Sequence, residues 1–497
     1  MSTTRPRRAA HSTSVRRLPV LVLVVAVLVL GGLVGRSGAP AAGPGAPLIG
    51  ALAPPTDAES SSWYCTGGTG TQGGSANGTL YLVNRSAAAV SGSVSVVNDT
   101  GGSAVLAVSI PAGSQITVVP GLVEQGTWLA SRVDLDGGGV SVSELVDGSY
   151  GWAQSPCATT TSSSWYFASG ATTNGSTLFV ALYNPSATAS VVDLAFATPQ
   201  GLTAPMPFQG LVVAPGHVVV AGVAAYVQNQ ASVSTVVQAT SGRIVAQELQ
   251  EYSVNGVTGL SLRLGSPQPQ SRWFFPRSVD VTGGQTEFSI FNPGQVPERV
   301  SVQVRLPSGP VAPYVEQVPA DSTWVLSTTV AGTAADRVPA NQDFATTVTA
   351  SGGPGVLVDR TVASSSAGAT PQWGSAAAVG GSATMVASRE WVLSNPVLAP
   401  QPPVAGAAPF ALGLLNTGTT TVTVTVSTVT PAGLARLSSV PAQQIAPGAF
   451  SVIEAPALAG AGAAALAVRA TGPVAAMEDA VPAGLPGVVT LAGIPQG

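Results

Sequence analysis

Apolar and polar residues alternate along most of this chain. Val192, Leu194 and Phe196 share one face of SVVDLAFATPQG, with Asp193 on the other. Val300, Val302, Val304 and Leu306 interleave with Ser301, Gln303 and Arg305, and Val422, Val424 and Val426 stand between threonines. A period of two carried by β-branched residues predicts strands covered on one face and wet on the other. Glycine or proline punctuates most breaks, as at IPAGS (Pro111), VAPGH (Pro215), VPADS (Pro319) and IAPGA (Pro447). Proline fixes φ there and glycine supplies the conformations a turn needs. The pattern predicts an all-β chain of many short strands.

The strands recur in a fixed order. A tryptophan-led segment appears four times, at Trp63, Trp165, Trp273 and Trp391. Each is followed by an apolar run ending in asparagine: Asn84, Asn184, Asn292 and Asn416. Each unit closes on a glycine with a carboxylate six residues later, giving Gly138/Glu144, Gly242/Glu248, Gly353/Asp359 and Gly472/Glu478. The tryptophans are 102, 108 and 118 residues apart and the carboxylates 104, 111 and 119. Two landmarks that drift together mark tandem copies of one module. Seven or so strands in about 100 residues is the size of an immunoglobulin-like sandwich, whereas a propeller blade repeats every 40–50 or so.

The expected organisation is a basic tail and signal or anchor segment over 1–36 and a flexible linker over 37–56. Four tandem β-sandwich repeats follow over 57–162, 163–270, 271–386 and 387–497, arranged as a rod. The leading tryptophan plugs each sandwich with its large apolar area. The asparagine supports the turn at its strand end. The fourth copy is the most worn, with a Pro/Ala-rich insertion around Pro400–Pro409, and reads as a cap to the array.

Charge is scarce. Only 8% of residues are charged while 45% are hydrophobic, so the chain can build cores and does not read as disordered. No lysine occurs, and six of the 19 basic residues, all arginine, fall in the first 36 positions. The remainder sets 13 arginines against 23 acids, a net charge of −10. That balance argues against nucleic acid, which is bound through basic patches. The arginine-only, Ala/Gly/Val/Pro-rich composition points to a high-GC bacterial source. Five arginines precede the uncharged Leu18–Val34, about 25 Å long as a helix, which reads as a membrane anchor or a cleaved export signal with Ala39-Pro40-Ala41 beyond it. Either way the rest is expected outside the cytoplasm, anchored or secreted. Cys65 and Cys157 bracket the first module, and an oxidising compartment would let them form a disulfide that ties its ends.

Little chemistry is on offer. Gly68 to Gly73 spells G-x-G-x-x-G but runs into a strand, whereas a dinucleotide site needs a helix there. Asp134-Leu135-Asp136-Gly137 begins like a calcium loop and lacks its closing acids. The recurrent acids Glu144, Glu248, Asp359 and Glu478 read as structural partners of an arginine or backbone amide, since one acid per module cannot surround calcium. His217 is the only histidine beyond the leader, too few for zinc or for a nucleophile–base pair apart from His217 itself. A glycosidase-type carboxylate pair is favoured by no spacing. The expectation is no catalytic residue, no metal and no cofactor. Trp128, Trp152, Trp324 and Trp373 are the candidates for exposed sugar-stacking rings, with most of them expected in cores.

The Trp-Tyr-Phe-Ala opening at Trp165, the L-x-x-x-N-P strand end and the G-x-x-x-A-x-E strand carry a resemblance. The chain resembles an uncharacterised family of secreted or membrane-anchored actinobacterial envelope proteins of unknown function, over residues 61 to about 490. It is also similar to Trp-led repeats in large bacterial surface proteins. Asn84-Arg85 and Asn416-Thr417 depart from the Asn-Pro signature. The resemblance implies a β-rich repeat in the cell envelope and supplies no catalytic residue. The expected role is a non-enzymatic scaffold or binding protein whose partner is an envelope protein or polysaccharide. The alternatives are a carbohydrate-binding protein acting on wall polysaccharide and a structural spacer for surface adhesion.

Overall fold

A computed structural model describes residues 51–71, 74–254, 257–280, 285–328, 337–339, 342–364, 372–377, 388–394, 410–458, 465–480 and 489–496. The basic tail, Leu18–Val34, the linker as far as residue 50 and the insertion at 400–409 lie outside the described residues. Among the described residues no helix is long and apolar enough to cross a membrane.

The all-β reading holds, and the first module shows the plan. Its strands are β1 (Ser61–Gly68), β2 (Asn77–Asn84), β3 (Val90–Asn98), β4 (Ser103–Ile110), β5 (Ser114–Val118), β6 (Leu129–Leu135), β7 (Val140–Gly148) and β8 (Gly151–Pro156). They form two antiparallel sheets, ordered β1-β6-β3-β4 and β5-β2-β7-β8. The same two sheets recur in the same order in the other three modules. Alternation decides the packing: Val94, Val96, Val133, Leu80, Leu82, Val140 and Val142 point between the sheets and enclose Trp63. Trp165, Trp273 and Trp391 plug the later sandwiches in the same way. Cys65 within β1, the first strand, is bonded to Cys157 just beyond β8, the last, so the first module is stapled at its two ends.

The eighth strand of each module changes the architecture. Val257–Leu264, Gln372–Ala377 and Val489–Ala492 are the counterparts of β8 in the other three modules. β8 lies against the first of these, that strand against the second, the second against the third, and the third returns to β8. At one step the contact is a parallel pairing, Thr258 with Gln372 and Gly259 with Trp373, which fuses two sheets into one of eight strands. The modules therefore close into a ring around their last strands and do not extend as a rod. Trp152 and Ala153 on β8, like Leu260 and Leu262 on its counterpart, are buried residues that one module alone could not cover. Trp152 shares its core with Trp391 of the fourth module. The ends of the ring also meet: Ala53 bridges Gln496, and Arg85 pairs with Glu390 at 2.9 Å.

Candidate functional site

Ionisable groups are few, and most of the described ones that are buried gather where modules meet, Glu298, which accepts from the Gly355 amide of its own module, being an exception. Local structure explains how each reaches its place. The indole N–H groups of Trp165, Trp273 and Trp391 donate to the carbonyls of Ile244, Val356 and Val474, at the start of the β7-type strand. The buried asparagine at the end of each β2-type strand fixes the opposite side. Asn184 Nδ2 donates to the carbonyls of Thr188 and Val213, while its Oδ1 accepts from the Ser186 amide. Asn84, Asn292 and Asn416 repeat this pattern on their own turns.

These two anchors set the register of the β7-type strands. The residues four before each asparagine, Leu80, Val180, Phe288 and Leu412, pair with Glu144, Glu248, Arg360 and Glu478. In the third module the recurrent position thus holds Arg360, and Asp359 falls one residue short on the opposite face. The cause is local: Val356 lies three residues past Gly353, whereas Ile244 and Val474 lie two past Gly242 and Gly472. Counting six from the glycine therefore lands one residue early.

In the first three modules the interior-facing position bonds its own module, and Arg360 also reaches Asp479 of the fourth. Gly67 donates its amide to Glu144 Oε2 at 3.2 Å, and burial pushes that carboxyl up to about 8. Arg263 Nη1 sits 2.6 Å from Glu248 Oε1 and also donates to the Ser169 carbonyl. Burial pushes Glu248 up, against the pull of the guanidinium. Arg360 donates to the Arg277 carbonyl and to Ser278 Oγ. Burial, with Asp479 beside it, pushes Glu478 up to about 8.

The residue just before this position faces the preceding module and meets the residue three beyond its tryptophan. Gln247 Oε1 accepts from the Thr66 amide at 2.7 Å and hydroxyl at 2.8 Å. Asp359 Oδ2 accepts from the amides of Ala168 and Ser169 at 2.9 and 3.0 Å. Burial raises the Asp359 pKa, while Arg263 and the two amides oppose the rise. At the third junction the facing residue is Pro276, which has no amide to offer, and the position is taken by Met477, buried in the third module's core. The polar contact moves to Asp479, 2.7 Å from Arg360 and 3.4 Å from Arg277. At the fourth junction Ser143 meets Ser394 at 2.6 Å, and Gln154 Nε2 donates to both hydroxyls.

Among the described residues a cleft opens on these seams, between the second and third modules, lined by Ser169, Gln250, Tyr252, Arg263, Glu287 and Thr361. Its volume of about 60 Å³ has room for a few waters, far below the few hundred Å³ of a small-molecule site. Among the described residues no three His, Cys, Asp or Glu side chains converge to hold a metal ion. Asp134 is paired with Arg132 and accepts from Ser62 Oγ. His217 caps its own turn through the Pro215 carbonyl. After Gly68 and Gly70 comes β2, not a helix, and Gly73 lies outside the described residues. Trp128 and Trp152 are buried, Trp128 donating its indole N–H to the Thr66 carbonyl, and Trp324 is half-buried; none of the three is an open sugar platform. The Trp373 side chain lies outside the described residues. The residues missed by sequence reasoning, Gln247, Arg360, Asp479, Ser143 and Ser394, carry no motif; the arginine next to Asp359 was the one available signal.

Comparison with known proteins adds a family and little else. No curated protein matches the chain. Among solved structures, Thermotoga maritima 1070 is similar at 14% identity, covering 23% of this chain and 98% of its own, with a TM-score of 0.20. The Anabaena sensory rhodopsin transducer is similar at 20% identity over 18% of this chain and 95% of its own, with a TM-score of 0.16. A tetra-tandem repeat from the extending region of a large adhesion protein covers 89% of this chain and 96% of its own, at 11% identity and a TM-score of 0.10. Likenesses this weak say nothing about what the chain does. The family model is more informative, because it matches residues 139–399, just over half of the chain and all of the second module. The chain belongs to a family of unknown function, DUF5719.

Proposed function

We propose that the chain is a non-enzymatic scaffold or binding protein of the bacterial cell envelope, working outside the cytoplasm. One observation carries the reading: the charged and polar groups buried at the junctions hold modules to one another. Asp359 is occupied by two amides of the second module, Arg360 by Asp479 of the fourth, and Ser143 by Ser394. Groups committed in this way build a preorganised body that can present its outer surfaces in fixed relation, which lowers the entropic cost of holding partners. The Cys65–Cys157 bond supports an oxidising compartment, where such bonds persist. Leu18–Val34 with its preceding arginines supports export across the membrane. The partner is an envelope protein or polysaccharide.

Protease treatment of intact spheroplasts, with maleimide trapping of thiols, tests the location. Digestion of the chain with Cys65 and Cys157 oxidised supports it; protection with free thiols sinks it. Photo-crosslinking in the intact envelope tests the scaffold role. A saturable, stoichiometric partner supports that role, and turnover of envelope glycan by the purified chain would replace it with an enzyme.

A further inference from the structure

The four modules provide an internal comparison of how a sheet edge is protected. β4 is the free edge of its sheet. Its counterparts are short and broken: Gly201–Thr203 with Leu211–Val213, Gly309–Pro310 with Tyr314–Val318, and Gly433–Arg436 with Gln443–Ile445. Prolines 205 and 207, 310 and 313, and 441 interrupt them, and Glu316 and Arg436 add charge. Shortness, proline and charge are the ordinary means of stopping an edge from recruiting another strand. β4 has none of these. It runs unbroken for eight residues, SAVLAVSI, without a proline or a charge.

The strand is also uncovered. Val105 is 68% exposed and, with Ala107, faces outward. Leu106 lies opposite the fully buried Val94, on the core side, yet 40% of it remains exposed. The helical turn Pro120–Val123 packs beside β4 and adds Leu122, 83% exposed. Alternate amides and carbonyls of an edge strand point away from its neighbour and can pair with an added strand.

We propose that β4 pairs antiparallel with β4 of a second copy of this chain, two-fold about Leu106, joining two four-stranded sheets into one. The sequence is self-complementary in that register: Ser103 meets Ser109, Ala104 meets Val108, Val105 meets Ala107, and Leu106 meets itself. Small residues fall opposite larger ones at every off-axis apolar pair, and no like charges are opposed. An identical patch on both partners is what a closed two-fold dimer requires. This inference does not depend on the proposed envelope role.

Cysteine crosslinking of the full-length chain tests it. Under mild oxidation Leu106→Cys should give a covalent dimer on a non-reducing gel, because residues directly opposite in an antiparallel pair bring their Cα atoms to about 5 Å, within disulfide reach. Ala104→Cys should stay single, since its partner is Val108. Adding Val105→Lys and Ala107→Lys to the Leu106→Cys chain sets like charges across the axis and should cut crosslinking at least tenfold. Val105→Lys with Ala107→Glu sets opposite charges across it and should restore the dimer, which separates lost pairing from misfolding. The proposal is overturned if Leu106→Cys stays monomeric, if Ala104→Cys crosslinks equally, or if the two charge variants behave alike.

Discussion

Ser143 and Ser394 stand 251 positions apart in the chain and 2.6 Å apart in space, hydroxyl to hydroxyl. That contact closes the ring, because it joins the fourth module to the first at the position equivalent to Gln247–Thr66 and Asp359–Ala168 at the other junctions. Gln154 donates to both serines, so this contact is made by neutral groups.

Closure has a direct consequence for size. Residues 47–497 form one compact unit, and a body of that length has a radius of gyration of roughly 22 Å. X-ray scattering should give a value near that, well below an end-to-end array of four sandwiches. Ser394→Glu buries an uncompensated carboxylate at the closing junction and should cost about 3 kcal/mol or more. Scattering from that variant should shift toward an opened particle; an unchanged profile with unchanged stability would contradict closure through this contact.

Each asparagine at the end of a β2-type strand is a structural keystone of its turn. Asn184→Ala strips a partner from the Val213 carbonyl and the Ser186 amide, while the Thr188 carbonyl keeps Ser186 Oγ. Leaving such groups unpaired should destabilise by about 2–4 kcal/mol, read as a lower denaturant midpoint. Asn184→Asp keeps the acceptor for Ser186 but sets a carboxylate against two carbonyls, and should do no better than alanine.

The buried acids predict that stability declines as pH rises. Folding raises the Glu144 and Glu478 pKa values from 4.5 to about 8. Between those limits the folded chain holds protons that the unfolded chain has released. The stabilisation is complete below pH 4.5 and is lost as pH climbs through 8, at up to about 1.4 kcal/mol per pH unit for each group. Melting temperatures should therefore fall from pH 5 to pH 8. Glu144→Gln, which keeps an acceptor for the Gly67 amide without titrating, should flatten part of that slope. A slope of opposite sign would overturn the account.

Much of this was legible in the sequence. Period-two alternation exposed the strands, and Trp63, Trp165, Trp273 and Trp391 with Asn84, Asn184, Asn292 and Asn416 marked four copies, because each acts on groups within its own module. The Cys65–Cys157 pairing was legible for the same reason. Asp359 was misplaced because a turn one residue longer shifts the register, and only the pairing of Phe288 with Arg360 reveals that.

The sequence by itself determined which faces are covered, since alternation records that a residue is buried. It does not record what covers it. Trp152 and Leu262 read as ordinary strand residues, and whether their own module or a neighbour encloses them depends on how β8 and its counterparts approach one another in space. The tertiary structure alone decided the ring and the uncovered edge at β4. Each of these rests on contacts or gaps between segments far apart in the chain, for which no local residue pattern is required.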